Sequence, residues 1–335
     1  MRYAIYGAGA LGTVLGAYIA RAGVEIDLFN RNRAHVEALR KNGAKIIGTA
    51  EFTQKVNAFY PEEMQGEYDV ILLMTKQQNN PEVVAFLKDH LKADGALCTC
   101  QNGLPEPAIA EIIGADRTLG CAIAWGATFH GEGVSELTSE PSALTFSLGA
   151  YGGGNRLEET RRLLECMGTV VVEKNFIGAR WSKLLINSAF SGLSTVTGGT
   201  FGEVASRKNS RRVAQRIIKE CIDVSRALGV TVEPVQGHDI VKLFDYKGAF
   251  KKKISFMLIP VAMKKHKNLV ASMLQDIRSG KPCEIAFING AVSAQGRKAN
   301  VPTPFNDRTV EIVSAIERGE KTFSFDNIAL YNDLF

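Results

Sequence analysis

The chain has 335 residues, 45% of them hydrophobic and 22% charged, with a formal net charge of +5. That length fits two domains better than one core, and that balance excludes a disordered chain. The mild positive excess favours anionic small molecules. The basic runs 251–253 and 264–267 lack interleaved aromatics for stacking bases, so they read as solvated helix faces or a funnel for an anionic substrate, and nucleic acid is not expected.

In chain order, residues 2–6 read as a strand and 10–22 as a helix closed by Gly23. The turn between them is Gly7-Ala8-Gly9-Ala10-Leu11-Gly12. In this context the first glycine permits the tight turn and the second lets backbone approach a pyrophosphate. The third lets the helix pack closely on the strand, and the helix N-terminus offers its N–H groups to phosphate. Residues 24–29 read as the second strand and 33–41 as the next helix. A site preferring NAD places a carboxylate after that second strand, to bond the ribose hydroxyls. Here the place reads Asn30-Arg31-Asn32-Arg33, and Asp27 is inside the strand. A guanidinium there suits a 2′-phosphate, so the expected cofactor is NADP(H), held through Arg31 with Arg33 as a second cation.

The run 69–74 is almost wholly apolar and suits a central parallel strand; Lys76 follows it. A helix over 82–91 and a strand over 96–100 come next, and then Gln101-Asn102-Gly103. In open α/β sheets ligands bind beyond the carboxyl ends of strands, which makes Lys76 and Asn102 candidates; a plain Asn-Gly turn is the alternative for the second. From 119 to 150 short alternating runs rich in Gly, Thr and Ser suggest antiparallel strands, before a helix over 156–167 and a strand over 169–173. Beyond Phe176 the chain reads as helical, over 180–191, 210–228, 236–244, 269–278, 284–299 and 304–318. The expected fold is therefore α/β: an N-terminal Rossmann domain with a doubly wound sheet (1–175), followed by an all-helical C-terminal domain (176–335).

The six cysteines have neither CxxC nor His-linked spacing, so reduced, packed thiols and no metal site are expected. No apolar run is long enough to span a membrane and the first strand leaves no room for a signal peptide, so a cytoplasmic protein without membrane association is expected. The sequence leaves a homodimer open.

Two helical segments carry unusual polar residues. Lys183, Asn187 and Ser191 are four apart among Leu184, Leu185, Ile186, Ala189 and Phe190. A lysine on so apolar a helix is costly unless it faces a cleft or is ion-paired; an exposed stripe is the other reading. Ser272 and Asp276 share a face of a second helix, and Glu284 follows Pro282 at an expected helix start, where the dipole favours a carboxylate with or without a further role.

These motifs together, Gly7–Gly12, Arg31, Lys76, Gln101–Gly103, Trp181–Asn187 and Ser272–Asp276 with Glu284, resemble the ketopantoate reductase (2-dehydropantoate 2-reductase) family nearly end to end. The resemblance implies an active site between a Rossmann and a helical domain, and reduction of a small 2-keto acid, ketopantoate, to (R)-pantoate on the way to pantothenate and coenzyme A. It implies that Lys183 is the general acid, with Glu284 holding that lysine charged and positioning substrate or cofactor. It further implies that Asn102 and Asn187 orient the substrate and nicotinamide, and that Ser272 bonds the substrate carboxylate. Three positions depart from the family pattern: Ser191 and Leu269 stand where asparagine is usual, and Cys283 where threonine is common. All three lie on the substrate side. The competing readings are reduction of a different branched or hydroxylated 2-keto acid and a non-catalytic NADP(H)-binding regulator, which would not require Lys183 and Glu284.

Overall fold

The computed structural model describes residues 1–235 and 238–335. By contacts the chain divides into two compact units, one of residues 1–101 and 105–176 and the other of residues 102–104 and 177–335.

The first unit holds twelve strands: β1 (Tyr3–Tyr6), β2 (Asp27–Phe29), β3 (Ala44–Gly48), β4 (Phe52–Gln54), β5 (Asn57–Phe59), β6 (Tyr68–Leu73), β7 (Leu91–Thr99), β8 (Thr118–Ile123), β9 (Ala127–Gly131), β10 (Val134–Leu137), β11 (Thr145–Ala150) and β12 (Thr169–Val172). Five α-helices accompany them: α1 (Ala10–Arg21), α2 (Arg33–Asn42), α3 (Asn80–Lys88), α4 (Glu106–Ile113) and α5 (Leu157–Glu165). The main sheet runs β12-β11-β8-β7-β6-β1-β2-β5. From β5 to β8 every pair is parallel, and the order reverses on either side of β1, as in a doubly wound dinucleotide fold. All six residues of β6 are buried, because both faces of the sheet are covered. Val70 and Leu72 enter one core with Val14 and Leu15 of α1, whereas Ile71 and Leu73 enter another with Val84 and Ile109 of α3 and α4. Two-sided burial is why an unbroken apolar run, and not an alternating one, marks this strand.

The expected antiparallel region is only partly so. β11 is antiparallel to β8, but β8 continues the parallel series and β12 is parallel to β11. β9 and β10 leave the main sheet and join β3 and β4 in a four-stranded sheet ordered β4-β3-β10-β9. Strands β3, β4 and β5 are too short, at five, three and three residues, to show a period-two pattern in the sequence.

The second unit is helical: α6 (Phe176–Ile186), which begins on the last residue of the first unit, α7 (Gly192–Thr197), α8 (Phe201–Ser206), α9 (Lys208–Ala227), α10 (Ile240–Phe244), α11 (Ala249–Ala262), α12 (Ser272–Arg278), α13 (Asn289–Lys298) and α14 (Pro304–Glu317). The expected helix over 236–244 starts on residues outside the described ones and is present from Ile240. α11 carries the first basic run, with Lys251 and Lys253 exposed and Lys252 half-buried. Burial, then the nearby Arg216 and Arg212, lower the Lys252 pKa. No helix among the described residues is long and apolar enough to cross a membrane. All six cysteines are unbridged, and all but Cys166 are buried.

Candidate active site

The glycine turn is fastened to the end of β2, whose Phe29 carbonyl accepts from the backbone N–H of Gly7 (3.0 Å) and of Ala8 (2.9 Å). Gly7 has φ +106°, and a Cβ there would lie 2.5 Å from the Thr75 nitrogen. At Gly12 a Cβ would lie 2.7 Å from the Gly7 carbonyl oxygen, so the helix could not sit so close to the strand. Gly9 differs: a Cβ there would meet nothing within 4 Å. Nothing inside the fold requires that glycine, which leaves its backbone open to an outside group. α1 starts at Ala10 with no side-chain cap and no acid in its first turn, an arrangement suited to an anion.

The carbonyl of Ala8 is turned inward and held by three side chains: Thr13 Oγ1 (3.0 Å), Asn30 Nδ2 (2.7 Å) and His35 Nε2 (3.1 Å). His35 Nδ1 accepts from the Gly133 N–H at 3.0 Å, so its ring proton resides on Nε2. The imidazole is fully buried, and burial lowers its pKa. Sequence reasoning missed both Asn30 and His35. Each has the composition of an ordinary loop or helix residue, and only the return of β2 and α2 to the turn brings them to it.

A cleft of about 340 Å³ opens at the ends of β1, β2 and β6, lined by Gly7, Gly9, Asn30, Arg31, Thr75 and Lys76 among others. Of the expected cofactor residues, the structure brings Gly7, Gly9, Arg31 and Lys76 together here; Ala8, Ala10, Leu11 and Gly12 shape the turn without lining the cleft. The two arginines differ. Arg33 is paired with Glu62 at 2.6 Å and lies over the Tyr60 ring. Arg31 is exposed, beside the Tyr6 hydroxyl, and no carboxylate among the described residues pairs with it. Asp27, the acid nearest in sequence, is occupied by Tyr68 Oη (2.8 Å) and Arg2 (3.3 Å).

Beyond β7, Gln101 is buried and donates to the Thr75 carbonyl at 2.8 Å and to Asn80 Oδ1 at 2.7 Å. It thereby ties the end of β7 to the end of β6. Asn102 follows, half-buried, before Gly103 at φ +77°. The 102–104 segment clusters with the helical unit.

The expected helix 180–191 is present with a change of pitch. α6 ends at Ile186, a π turn spans Asn187–Ser191, and α7 follows directly. The four-residue repeat therefore does not describe Ser191, because in the π turn the Gly192 N–H returns to the Asn187 carbonyl, five residues back. Lys183, Asn187 and Ser191 are nonetheless each half-buried, whereas 181–182, 184–185 and 188–190 are buried. Other polar residues of the same segment, Arg180, Ser182 and Ser188, are buried, and Ile186 is half-buried like the three candidates.

Two further expectations change. The helix containing Ser272 and Asp276 starts at Ser272 and not at 269; Leu269 lies before it, 50% exposed, with its carbonyl accepting from the Phe201 N–H. Ser272 is exposed and Asp276 half-buried. Glu284 does not open a long helix. It precedes a 3-10 turn over Ile285–Phe287, its carbonyl accepts from the Phe287 and Ile288 N–H groups, and α13 starts only at Asn289. The helix-dipole argument for Glu284 falls with that. Burial pushes the neighbouring Cys283 thiol up to about 11, and its backbone N–H donates to Glu317 at 2.7 Å, which makes it a packing residue. Among the described residues no group of His, Cys, Asp and Glu is arranged to hold a metal ion.

Comparison with known proteins adds the family. Residues 3–150 match the family model described as ketopantoate reductase PanE/ApbA, and residues 175–317 match that of its C-terminal domain. Over 324 residues the chain is 28% identical to a 2-dehydropantoate 2-reductase of Pyrococcus horikoshii, covering 95% of this chain and 98% of the relative. A PanE/ApbA family ketopantoate reductase from Ralstonia eutropha JMP134 superposes with a TM-score of 0.81 at 23% identity, over 96% of this chain and 99% of that one. D-mandelate dehydrogenase, solved as a ternary structure with NADH and anilino(oxo)acetate, also gives 0.81, at 22% identity over 95% and 99%. The two family matches together span most of the chain, which belongs to the ketopantoate reductase family, oxidoreductases acting on a CH-OH group.

Proposed function

For this member of the ketopantoate reductase family we propose NADPH-dependent reduction of 2-dehydropantoate to (R)-pantoate, a step towards pantothenate and coenzyme A. The first 175 residues bind the cofactor, and residues 176–335 supply the substrate-binding and catalytic groups. The observation that carries the cofactor half is a single cleft joining an open glycine turn to a guanidinium that no carboxylate among the described residues pairs with. Those residues fit a dinucleotide bearing a 2′-phosphate: the uncapped start of α1 would hold the pyrophosphate, with room left at Gly9, and Arg31 would pair with the 2′-phosphate while Lys76 adds charge. Asn102 and Glu284 complete the cofactor contacts.

The bound cofactor supplies a hydride to the keto carbon. Lys183, as an ammonium, gives its proton to the carbonyl oxygen, so that the carbonyl becomes an alcohol without passing through a free alkoxide. Glu284 keeps that ammonium charged and in place. Asn102 and Asn187 hold the carbonyl and nicotinamide in register, while Ser272, with Ser191, takes the substrate's carboxylate and hydroxyl end. A half-buried lysine flanked by the buried Trp181, Ser182, Leu184 and Leu185 supports the role.

The alternative is a relative acting on another 2-keto acid. The substitutions Ser191, Leu269 and Cys283 favour it, as does the likeness to a mandelate dehydrogenase. Initial rates of NADPH oxidation over a panel of 2-keto acids separate the two. Ketopantoate should be turned over with the highest kcat/KM, and Lys183→Ala should lower kcat by roughly 10²–10⁴-fold while NADPH still binds. A different preferred acid moves the assignment to the alternative; NADPH binding with no turnover of any acid supports a regulator.

A further inference from the structure

The π turn between α6 and α7 is not isolated. Its Ser188 carbonyl accepts from Asn289 Nδ2 at 3.0 Å, a side chain at the first position of α13. A π turn moves carbonyls away from their usual donors four residues on, and a side chain that satisfies one of them stabilises the wider pitch. The same Asn289 amide donates to Asn306 Oδ1 at 3.0 Å. Asn306 Nδ2 in turn donates to the Glu220 carboxylate at 2.7 Å, which also accepts the backbone N–H groups of Phe305 (2.9 Å) and Asn306 (3.0 Å) at the start of α14. Asn289 and Asn306 are fully buried, and Glu220 is 8% exposed. Burial pushes the Glu220 carboxyl up to about 7, with the three donors and nearby Asp307 acting against and with that rise respectively. The amide donors of Asn289 and Asn306 are thus all directed at buried acceptors, which ties the π turn to α9 and the start of α14.

The other amide atom, Asn289 Oδ1, is buried with no hydrogen-bond partner among the described residues. It lies 2.7 Å from where a Cβ on Gly192 would be, at the first residue after the π turn. Thr309 Cγ2 lies 2.9 Å from the same point, so only a residue without a side chain lets both Asn289 and Thr309 come that close to position 192. None of these residues belongs to the reducing constellation proposed above.

We propose that Asn289 is a positioning residue for the reductase: clamped by Asn306 and Glu220, it holds the π turn open and so sets how Lys183 on α6 and Asn187 at the start of the turn are oriented relative to Ser191 and α7 downstream. This rests on the reading of Lys183 and Asn187 as active-site residues. A helix that relaxed to uniform α pitch would rotate its downstream half, and a displacement of about 1 Å in a reacting group costs on the order of 100-fold in rate.

The test uses the full-length enzyme with NADPH and its best 2-keto acid. Asn289→Ala should lower kcat roughly 10- to 100-fold, while KM for the keto acid and the fluorescence-measured Kd for NADPH change less than about threefold. Gly192→Ala should give the same signature from the opposite side. Because alanine at 289 removes the nearer of the two side-chain atoms that a Cβ at 192 would strike, the other being Thr309 Cγ2 at 2.9 Å, the double variant should lose less than the product of the two single losses, a coupling that general destabilisation does not produce. Asn306→Ser, which loosens the clamp and leaves Asn289, provides the readout if Asn289→Ala fails to fold, and the same kcat-only loss is expected of it. Folded variants with kcat within about twofold of the parent, or with losses that simply multiply in the double variant, overturn the inference. A parent with no turnover on any keto acid overturns the proposed function instead.

Discussion

Among single residues, His35 shows most directly how a side chain outside the cleft governs it. It accepts from Gly133 and donates to Ala8, so a proton on Nδ1 would break the first bond and place a charge in a fully buried site. Burial puts its folded pKa below the ordinary 6.5. The unfolded chain therefore takes up the proton first as pH falls. The stabilisation is complete above the unfolded value and is lost as pH drops through 6.5 towards the folded one. Melting temperatures between about pH 7.5 and about pH 5 should fall for the parent and fall less steeply for His35→Gln. Parallel slopes would remove His35 from the account. Arg31 and Arg33 carry a different lesson. The sequence offers two arginines in one loop, and only the ion pair to Glu62 tells them apart.

At the level of elements, the β1–α1 turn separates two uses of glycine that one motif conceals. Gly9→Ala adds a methyl group that meets no protein atom, so the melting temperature should stay within about 2 °C while NADPH binding weakens at least about tenfold. Gly12→Ala drives a methyl into the Gly7 carbonyl and should cost about 1–3 kcal/mol of stability. Thermal melts and fluorescence titration of both variants check the contrast; equal melting temperatures would contradict it. Long elements with strong patterns were legible in advance: α1, β6, α9 and α14 lie close to their expected bounds. Short strands and changes of pitch were not. The π turn has no composition of its own, since its cause is Asn289, about a hundred residues further on, and Glu284 looked like a helix start because a 3-10 turn shares the same local signals.

For the whole molecule, the Rossmann and helical halves were readable because alternation and helical periodicity extend over many residues, and the family is plain from six separated motifs in order. The candidate residues were readable only as a set. Their placement brings Gly7, Gly9, Arg31 and Lys76 to one cleft and leaves Lys183, Asn187 and Ser191 half-buried along α6 and the π turn, which the linear sequence does not distinguish. The +5 charge adds a general attraction for anions without choosing between NADH and NADPH, both of which carry the pyrophosphate. In the proposed reading that choice falls to the guanidinium of Arg31, where a charge-assisted contact contributes about 2 kcal/mol, roughly 30-fold. The most direct measurement is therefore kcat/KM of the purified enzyme for NADPH and for NADH at saturating ketopantoate. The account predicts a preference for NADPH of at least about tenfold; equal or better use of NADH would contradict it.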